Sequence, residues 1–185
     1  MSKLTDTPAY RLHITRIPEN AGSRRDCEKA ATRSLIAEVF GDSITLAHTP
    51  EGAPMIEGHP EISISLSHSK DFCILAIANH TNINIGVDIE SARQQLLRVA
   101  PRFLTQTENR LAGETSDAQA KLELLLKLWT IKEAVYKAAL TPGLSLTEIS
   151  AAADFRSAQA RGRSFSITLH SLPAGEQIAV ATEEI

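Results

Sequence analysis

The sequence predicts a mixed α+β fold in which antiparallel sheets pack against long helices. Strand-like alternation occurs near both ends of the chain, the middle is rich in strands, and two separate stretches show helical periodicity. Short turn-like segments separate neighbouring strands, so antiparallel hairpins are the simplest pairing. Together these observations indicate an α+β class.

Length and composition limit the kind of protein this can be. The 185 residues are enough for one large domain or two small lobes, and 43% hydrophobic with 22% charged residues is typical of a globular protein. The net charge of −3 argues against a general nucleic-acid coat protein. No apolar run approaches the ~18 residues of a membrane span, and the N-terminus lacks an apolar signal core. We expect a cytoplasmic protein without nucleic-acid or membrane partners, whose two cysteines are buried thiols.

The first half of the chain begins with a strand and a helix. Residues 10–17 alternate between apolar and polar side chains, as a half-buried strand does. Apolar residues recur at helical spacing over 27–40, and Gly41 is placed to end that helix. A short strand is expected over 43–48, and residues 49–60, with three prolines and two glycines, are expected to form a surface loop.

Three consecutive strands are predicted in the middle of the chain. Residues 62–67 and 83–90 alternate, and residues 73–78 form a nearly continuous apolar run. Turn-like residues separate all three segments. Consecutive antiparallel hairpins are therefore expected.

Helices dominate the next part, and two strands close the chain. Helical spacing is found over 96–104, a further helix opens near residue 105, and a long helix is expected from 118 to 140. Residues 164–169 and 177–182 are predicted to form a final hairpin.

Two carboxylates lie side by side on the third of the middle strands. Because strand side chains alternate, Val87 and Ile89 face the core while Asp88 and Glu90 face the opposite side. Two carboxylates this close repel each other unless a cation lies between them, and Mg²⁺ prefers such oxygen ligands. A polar sheet face in solvent remains the alternative.

A third carboxylate lies on the long helix. Trp129, Glu133 and Lys137 are spaced four residues apart and share one face. Glutamate before lysine at this spacing is also typical of an ordinary solvated ion pair. If the helix packs across the strand, however, Glu133 would complete a metal site with Asp88 and Glu90, and Lys137 could meet an anionic ligand.

Small hydroxyl residues flank a histidine at the end of the first middle strand. The segment 65–69 reads Ser-Leu-Ser-His-Ser, which suits contact with a phosphate oxygen. A structural histidine in a turn is the other interpretation. The sequence lacks a Gly-rich phosphate loop, a GxSxG elbow and an HExxH motif, and a serine triad has no support.

Taken together, these motifs resemble those of the 4′-phosphopantetheinyl transferase superfamily. Residues 86–90, GVDIE, and 129–137, WTIKEAVYK, are similar to the two signature motifs of that family. Residues 67–69, SHS, 103–108, FLTQTE, and 143–145, GLS, resemble further elements in the same order. The resemblance covers roughly the region from 50 to 150.

The resemblance implies an activity and a metal site. Members of this family move the phosphopantetheine arm of coenzyme A to a serine of an acyl or peptidyl carrier protein and release 3′,5′-ADP. By this resemblance, Mg²⁺ would be held against the diphosphate by Asp88, Glu90 and Glu133. Lys137 would contact phosphate, and Glu133 or Glu108 would help to deprotonate the carrier serine.

The same resemblance implies coenzyme A contacts in the first half of the chain. Ser67 and His68 would bind its phosphates. The family often has Gly-Lys-Pro where this chain reads Gly-Ala-Pro at residues 52–54, so one basic contact is missing. Residues that could replace the missing basic contacts are Arg24, Arg25, Arg33 and Ser34.

The chain length fits a compact two-lobed form of the surfactin type, with a pseudo-twofold relation between two similar lobes. We expect residues 1–80 to form the lobe with the coenzyme A contacts and residues 81–185 the lobe with the acidic motifs, in a monomer. Basic residues that could meet an acidic carrier protein, or form a solvated helical face, are Arg93, Arg98, Arg102 and Arg110.

Two other functions remain open from the sequence. A non-catalytic module that binds a carrier protein or coenzyme A with the same fold is the main alternative, because the first-lobe contacts are altered. A metal-dependent phosphoesterase that uses the same carboxylates is a third interpretation.

Overall fold

The computed structural model describes residues 2–19 and 22–185, and it confirms the predicted mixed α+β class with antiparallel sheets. The strands are β1 (Ser2–Asp6), β2 (Tyr10–Arg16), β3 (Leu46–His48), β4 (Pro54–Ile56), β5 (Ile64–His68), β6 (Phe72–Ala78), β7 (Ile83–Ser91), β8 (Ile149–Ala151), β9 (Ser157–Ala160), β10 (Arg163–Ser171) and β11 (Glu176–Glu184). The helices are α1 (Arg24–Phe40), α2 (Gln95–Val99), α3 (Gln106–Glu114) and α4 (Ala118–Ala139), with 3₁₀ turns at Ala100–Arg102 and Leu146–Glu148.

The first sheet has the strand order β1-β2-β6-β5, and α1 packs on one of its faces. The helix begins with a capping box between Ser23 and Asp26 and ends at Gly41, as predicted. Its apolar side contacts alternate residues of β6, among them Leu75 and Ile77. Strand β4 lies inside the expected surface loop, where it pairs with β3 in a small separate sheet.

The second sheet has the order β7-β11-β10-β9-β8, and α4 packs across β7 and β11. The hairpin of β10 and β11 is confirmed, since Ser171 pairs with Gln177 next to the turn. Strands β8 and β9 are short segments that the sequence did not reveal. The structure therefore has one long helix on each main sheet.

The predicted hairpin between β6 and β7 is wrong. Strand β6 is central in the first sheet, and its two edges are already paired with β2 and β5. A strand has only two edges, so β7 cannot join it. After Ala78 the chain crosses to the second sheet, where β7 pairs along its length with β11.

A shared apolar core joins the two sheets. Tyr10, Leu12 and Ile14 point into it from the first sheet, on the side predicted by their alternation. Val87 and Ile89 point into it from the second sheet. The first sheet with α1 and the second with α4 fall on either side of residue 80, but the division into two lobes at that point stays a prediction.

Gly86 lets α4 approach β7 very closely. A Cβ atom at this position would lie 1.9 Å from the carbonyl oxygen of Ala134 and 2.6 Å from the amide nitrogen of Ala138. Only a residue without a side chain fits such a contact. The close approach brings the last two turns of α4 next to the centre of β7.

None of the helices in residues 2–19 and 22–185 combines the length and the apolar character that crossing a membrane requires.

Candidate functional site

The acidic residues of β7 lie on the face that α4 covers. Gly86 contacts the backbone of α4, and the strand alternation gives Asp88 and Glu90 the same orientation. Asp88 is buried and Glu90 is partly buried. The predicted opposition of these two side chains to Val87 and Ile89 is confirmed by the core packing.

Lys137 joins α4 to Asp88. Its Nζ lies 2.9 Å from Asp88 Oδ1 and donates a second hydrogen bond to the main-chain oxygen of Val87 at 2.8 Å. The hydroxyl of Ser67 donates to the same oxygen, Asp88 Oδ1, at 2.8 Å. An ammonium has three N–H donors, so Lys137 keeps one for a ligand.

Glu133 lies among like charges. Burial raises the pKa of its carboxyl, and the charges of Asp88 and Glu90 raise it further, while Lys137 opposes them. The helix carboxylate thus lies near enough to the two strand carboxylates for their charges to act on it. Glu90 is also paired with Arg93 and accepts a hydrogen bond from its neighbour's amide, Ser91 N–H, at 2.9 Å.

The three carboxylates fit a hard divalent cation by their chemistry. They supply only oxygen ligands, and a cation would offset the repulsion that raises the pKa of Glu133. In the described part of the chain, no three His, Cys, Asp or Glu side chains lie close enough to hold a metal in this conformation. Asp88 and Glu90 instead have a lysine and an arginine as partners, so the metal role stays a prediction.

A large cleft of about 1180 Å³ adjoins this cluster. Its walls come from α1, the β3–β4 hairpin, β5, the start of β7 and the end of α4. Of the predicted ligand-binding residues, the cleft is lined by Arg25, Arg33, His68 and Lys137. The structure therefore brings cations from α1 and from α4 to one cavity.

His68 is held by a hydroxyl from α1. Its Nε2 lies 2.8 Å from the hydroxyl oxygen of Thr32, which also donates to the main-chain oxygen of Glu28 at 2.9 Å. Burial lowers the pKa of the imidazole, with nearby Lys137 acting in the same direction. The ring is consequently neutral at pH 7.

The sequence analysis missed several residues of the cleft. Lys29 lies between Arg25 and Arg33 in a basic stripe with a spacing of four residues, and the stripe was visible in the sequence as helical periodicity. Tyr136 and Leu140 add apolar surface at the end of α4, where they are 45% and 56% exposed. Nothing in the sequence distinguished these two from ordinary surface residues.

Three residues that were predicted to contact coenzyme A are bonded to other protein groups or lie outside the cleft lining. Arg24 pairs with Glu28 at 2.7 Å and donates to the main-chain oxygens of Ser69 and Lys70. Ser34 is exposed on α1 and is absent from the cleft lining. The hydroxyl of Ser67 is engaged by Asp88. Their roles in ligand binding stay predictions.

Glu108 lies in a buried ion pair instead of the cleft. Its Oε2 lies 2.8 Å from Nζ of Lys132, and its two oxygens accept the main-chain N–H groups of Thr105 at 2.8 Å and Ala151 at 3.1 Å. Lys132 is fully buried and also donates to the main-chain oxygens of Leu146 and Ile149. These contacts tie α3, α4 and β8 together, and a role of Glu108 in proton transfer stays a prediction.

A smaller cavity of about 250 Å³ has in its wall Arg93, the ion-pair partner of Glu90. Phe103 and Trp129 line it and make an edge-to-face contact, with ring centroids 5.1 Å apart. Arg93 and Arg102, two of the four arginines that the sequence singled out, are at its wall.

Comparisons with known proteins identify a family and several relatives. The model of the 4′-phosphopantetheinyl transferase superfamily matches residues 84–183. The 4′-phosphopantetheinyl transferase gsp of Aneurinibacillus migulanus is 29% identical over 123 residues, which are 60% of this chain and 49% of that protein. A 4′-phosphopantetheinyl transferase of Bacillus subtilis is 33% identical over 122 residues, which are 62% of this chain and 50% of that protein.

The chain spans about half the length of the curated relatives it matches. Among solved structures, the holo-[acyl-carrier-protein] synthase of Thermotoga maritima is similar, at 18% identity and a TM-score of 0.41. That match covers 55% of this chain and 62% of the other.

Proposed function

This chain belongs to the 4′-phosphopantetheinyl transferase superfamily, and from this premise we propose that it transfers the 4′-phosphopantetheine arm of coenzyme A to a serine of an acyl or peptidyl carrier protein. The reaction would depend on Mg²⁺ and release 3′,5′-ADP. The observation that carries the proposal is the cluster of Asp88, Glu133 and Lys137, in which acidic groups of a strand and a helix adjoin a cation that lines a large cleft.

In the proposed reaction the hydroxyl oxygen of the carrier serine attacks the phosphorus next to the pantetheine. A bond to this phosphorus forms, the bond to the bridging oxygen breaks, and 3′,5′-ADP leaves with the bridging oxygen. When bound, Mg²⁺ would polarise a phosphoryl oxygen, and Asp88, Glu90 and Glu133 are the residues that would hold it. Lys137 would direct its remaining N–H at the diphosphate.

A carboxylate has to accept the proton of the serine. Glu133 suits this role better than Glu108, because it belongs to the cluster with Asp88 and Lys137 that adjoins the cleft, whereas Glu108 does not line the cleft. Glu108 is engaged by Lys132 and by two main-chain N–H groups. We therefore assign the proton to Glu133 in this proposal.

The walls of the cleft suit coenzyme A. The basic stripe of Arg25, Lys29 and Arg33 offers three positive charges to phosphate groups. His68 is also in the lining. Because Thr32 gives its hydroxyl hydrogen to Glu28, Nε2 of the neutral ring is the donor to Thr32, and the free Nδ1 can accept a hydrogen bond from an N–H or O–H group of the ligand. The apolar surface of Tyr136 is available to the uncharged parts of the ligand.

The carrier protein is proposed to bind beside Glu90. Arg93 and Arg102 adjoin a cavity whose other walls include Phe103 and Trp129. Positive charge around an apolar depression suits an acidic partner with a hydrophobic contact residue. We propose that the protein acts as a monomer, with residues 1–80 and 81–185 as its two lobes.

The direct test is modification of a carrier. The full chain is incubated with coenzyme A, Mg²⁺ and several apo carrier proteins of the fatty-acid, polyketide and peptide synthase types, and the mass of each carrier is followed. We expect at least one carrier to gain the mass of the arm while 3′,5′-ADP appears in equal amount. If every carrier keeps its mass, the transferase proposal is wrong.

A non-catalytic binding module is the second candidate. It is favoured by the ion pairs of Asp88 with Lys137 and of Glu90 with Arg93, because each strand carboxylate already has a cationic partner within the protein. Calorimetry with coenzyme A and with an apo carrier separates the two functions. A chain that binds each ligand separately but releases no 3′,5′-ADP when both are combined with Mg²⁺ is a module, whereas release from the combined ligands identifies the transferase.

A further inference from the structure

Two buried serines connect the edges of the two main sheets. Strand β5 is an edge of the first sheet and β7 is an edge of the second. The Ser65 hydroxyl oxygen accepts the main-chain N–H of Val87 at 3.0 Å, and the Ser67 hydroxyl oxygen accepts that of Ile89 at 3.4 Å. Both serines are nearly inaccessible to solvent, with 2% and 7% of their surfaces exposed. Their hydroxyl oxygens thus accept the main-chain N–H groups of β7 that the carbonyl oxygens of a neighbouring strand would otherwise accept.

The two serines differ in the use of the hydroxyl hydrogen. A hydroxyl has a single hydrogen to donate, and Ser67 donates it to Asp88 Oδ1. The N–H of Ile89 approaches the same hydroxyl as a donor, so the hydrogen is left to point toward the carboxylate. Ser65 makes the corresponding strand contact and has no such link to Asp88 in the described part of the chain.

Asp88 therefore receives both of its donors on one oxygen. Ser67 and Lys137 bind Oδ1 from the first sheet and from α4, at 2.8 and 2.9 Å. Two directed hydrogen bonds to one oxygen fix the rotation of the carboxylate. The other oxygen, Oδ2, has no protein donor among the described residues and is the one left for a cation.

We propose that Ser67 is a positioning residue that holds the Asp88 carboxylate in the orientation needed for a divalent cation, and that Ser65 is a strand connection without this role. The inference rests on the proposed metal-dependent function, and it gives Ser67 a task other than contact with the coenzyme A phosphates. Hydrogen bonds to a ligating carboxylate commonly matter for metal affinity.

The matched variants are Ser65→Ala and Ser67→Ala in the full chain. Each removes one buried hydroxyl that accepts an N–H of β7, so both should lower Tm, and Ser67→Ala should lower it more because it also removes the donor to Asp88. Mn²⁺ binding is measured by calorimetry and by its electron paramagnetic resonance signal, with coenzyme A at saturation. We expect Ser67→Ala to weaken Mn²⁺ binding about 10- to 100-fold, Ser65→Ala to change it less than about threefold, and Ser67→Thr to restore most of the affinity.

A second variant distinguishes an effect through Asp88 from a general disturbance. In an Asp88→Asn background, Ser67→Ala should weaken Mn²⁺ binding no further. Coenzyme A binding in the presence of a chelator should be the same for Ser67→Ala and the wild type. The proposal is overturned if the two serine variants weaken Mn²⁺ binding equally, if the effect of Ser67→Ala persists in the Asp88→Asn background, or if Ser67→Ala weakens metal-free coenzyme A binding to the same extent.

These readouts do not require arm transfer. If the wild type modifies no carrier but its Mn²⁺ affinity depends on Ser67 as expected, the proposed function fails and the positioning role stands. If the wild type transfers the arm but Ser67→Ala binds Mn²⁺ as the wild type does, the function stands and the positioning role fails. A wild type that binds no Mn²⁺ overturns the positioning role.

Discussion

Helix α4 carries two lysine–carboxylate pairs whose surroundings differ sharply. Lys132 and Glu108 are 2.8 Å apart, with side chains 0% and 7% exposed, while Lys137 and Asp88 are 2.9 Å apart, with side chains 26% and 10% exposed. The two lysines are only five residues apart on one helix. Similar distances therefore occur in a closed interior and at the wall of a cleft.

The pairs also differ in what their partners leave available. Lys132 donates to two main-chain oxygens besides Glu108, whose own oxygens accept two main-chain N–H groups. All of these groups are satisfied within the protein. The pair of Lys137 and Asp88 keeps one N–H and one carboxylate oxygen for other partners. The two pairs therefore differ in the hydrogen-bonding groups that they leave free for a ligand, although their distances are nearly equal.

The largest expected effect is on the buried pair of Lys132 and Glu108. Lys132→Met removes the charge that compensates buried Glu108, and breaking a buried pair in this way costs about 3–5 kcal/mol of unfolding free energy. Urea unfolding followed by circular dichroism measures the loss. The double variant with Glu108→Gln should recover part of it, because no uncompensated charge remains. A single variant that loses less than about 1 kcal/mol would contradict a structural role for this pair.

Substitutions in the pair of Lys137 and Asp88 should instead affect activity. Lys137→Met and Asp88→Asn should each lower the turnover of arm transfer about 10²-fold, a typical effect of losing one electrostatic contact to a reacting phosphate. Lys137→Met is matched to Lys132→Met, since the same change is made on the same helix. It should cost less than Lys132→Met in urea unfolding, because Lys137 is partly solvated whereas Lys132 is fully buried. Full turnover in either variant would remove these residues from the mechanism.

A smaller effect is expected from a change at Gly86, where α4, which carries Lys137, packs against β7. Gly86→Ala places a methyl group against the backbone of α4 and should cost about 1–3 kcal/mol by overpacking. The shift of α4 should also lower turnover, since Lys137 and Glu133 move with the helix. Gly113→Ala is the matched control, because an added Cβ at Gly113 meets nothing within 4 Å. Equal unfolding free energies for the two variants would contradict the close packing.

The smallest expected effect concerns a third pair, which holds the C-terminal end of α4. Arg163 donates to the main-chain oxygen of Ala139 at 2.7 Å and pairs with Glu183, whose pKa it lowers through a side-chain hydrogen bond. A lowered carboxyl pKa means that the native state binds fewer protons, so this stabilisation is present above about pH 4.5 and is lost as the pH falls through the folded-state pKa.

Arg163→Met should therefore lower Tm by a few degrees at pH 7 and by less near pH 3.5. Thermal unfolding at both pH values measures the difference between variant and wild type. A difference that grows toward low pH would have the opposite sign to this expectation. Lys137→Met again serves as the comparison, since Lys137 lines the cleft.

The sequence was sufficient to predict the orientation of side chains where local periodicity decides it. Alternation predicted that Asp88 and Glu90 face away from Val87, and a spacing of four residues predicted that Glu133 and Lys137 share a face of α4. Both features depend only on the geometry of one strand and one helix. That the two elements pack against each other was an expectation that rested on the family resemblance, and α4 does pack across β7.

The sequence was insufficient where distant segments meet. Nothing near Glu108 indicates that its partner lies 24 residues later, or that β8, a strand of three residues, supplies a further donor. The pairing of β7 with β11 instead of β6 was missed for the same reason, since only the complete sheet shows that both edges of β6 are occupied. Contacts across long separations are set by the whole fold, not by the local pattern.

The shared core has a consequence for how the molecule can be divided. Its second-sheet side consists of residues within the segment that matches the family: Ile85, Val87, Ile89, Ile178 and Val180. A fragment of residues 84–183 would retain the whole matched region yet expose this apolar surface to water. It would have to cover that surface by associating with another molecule, whereas the intact chain covers it internally and should unfold in a single cooperative transition.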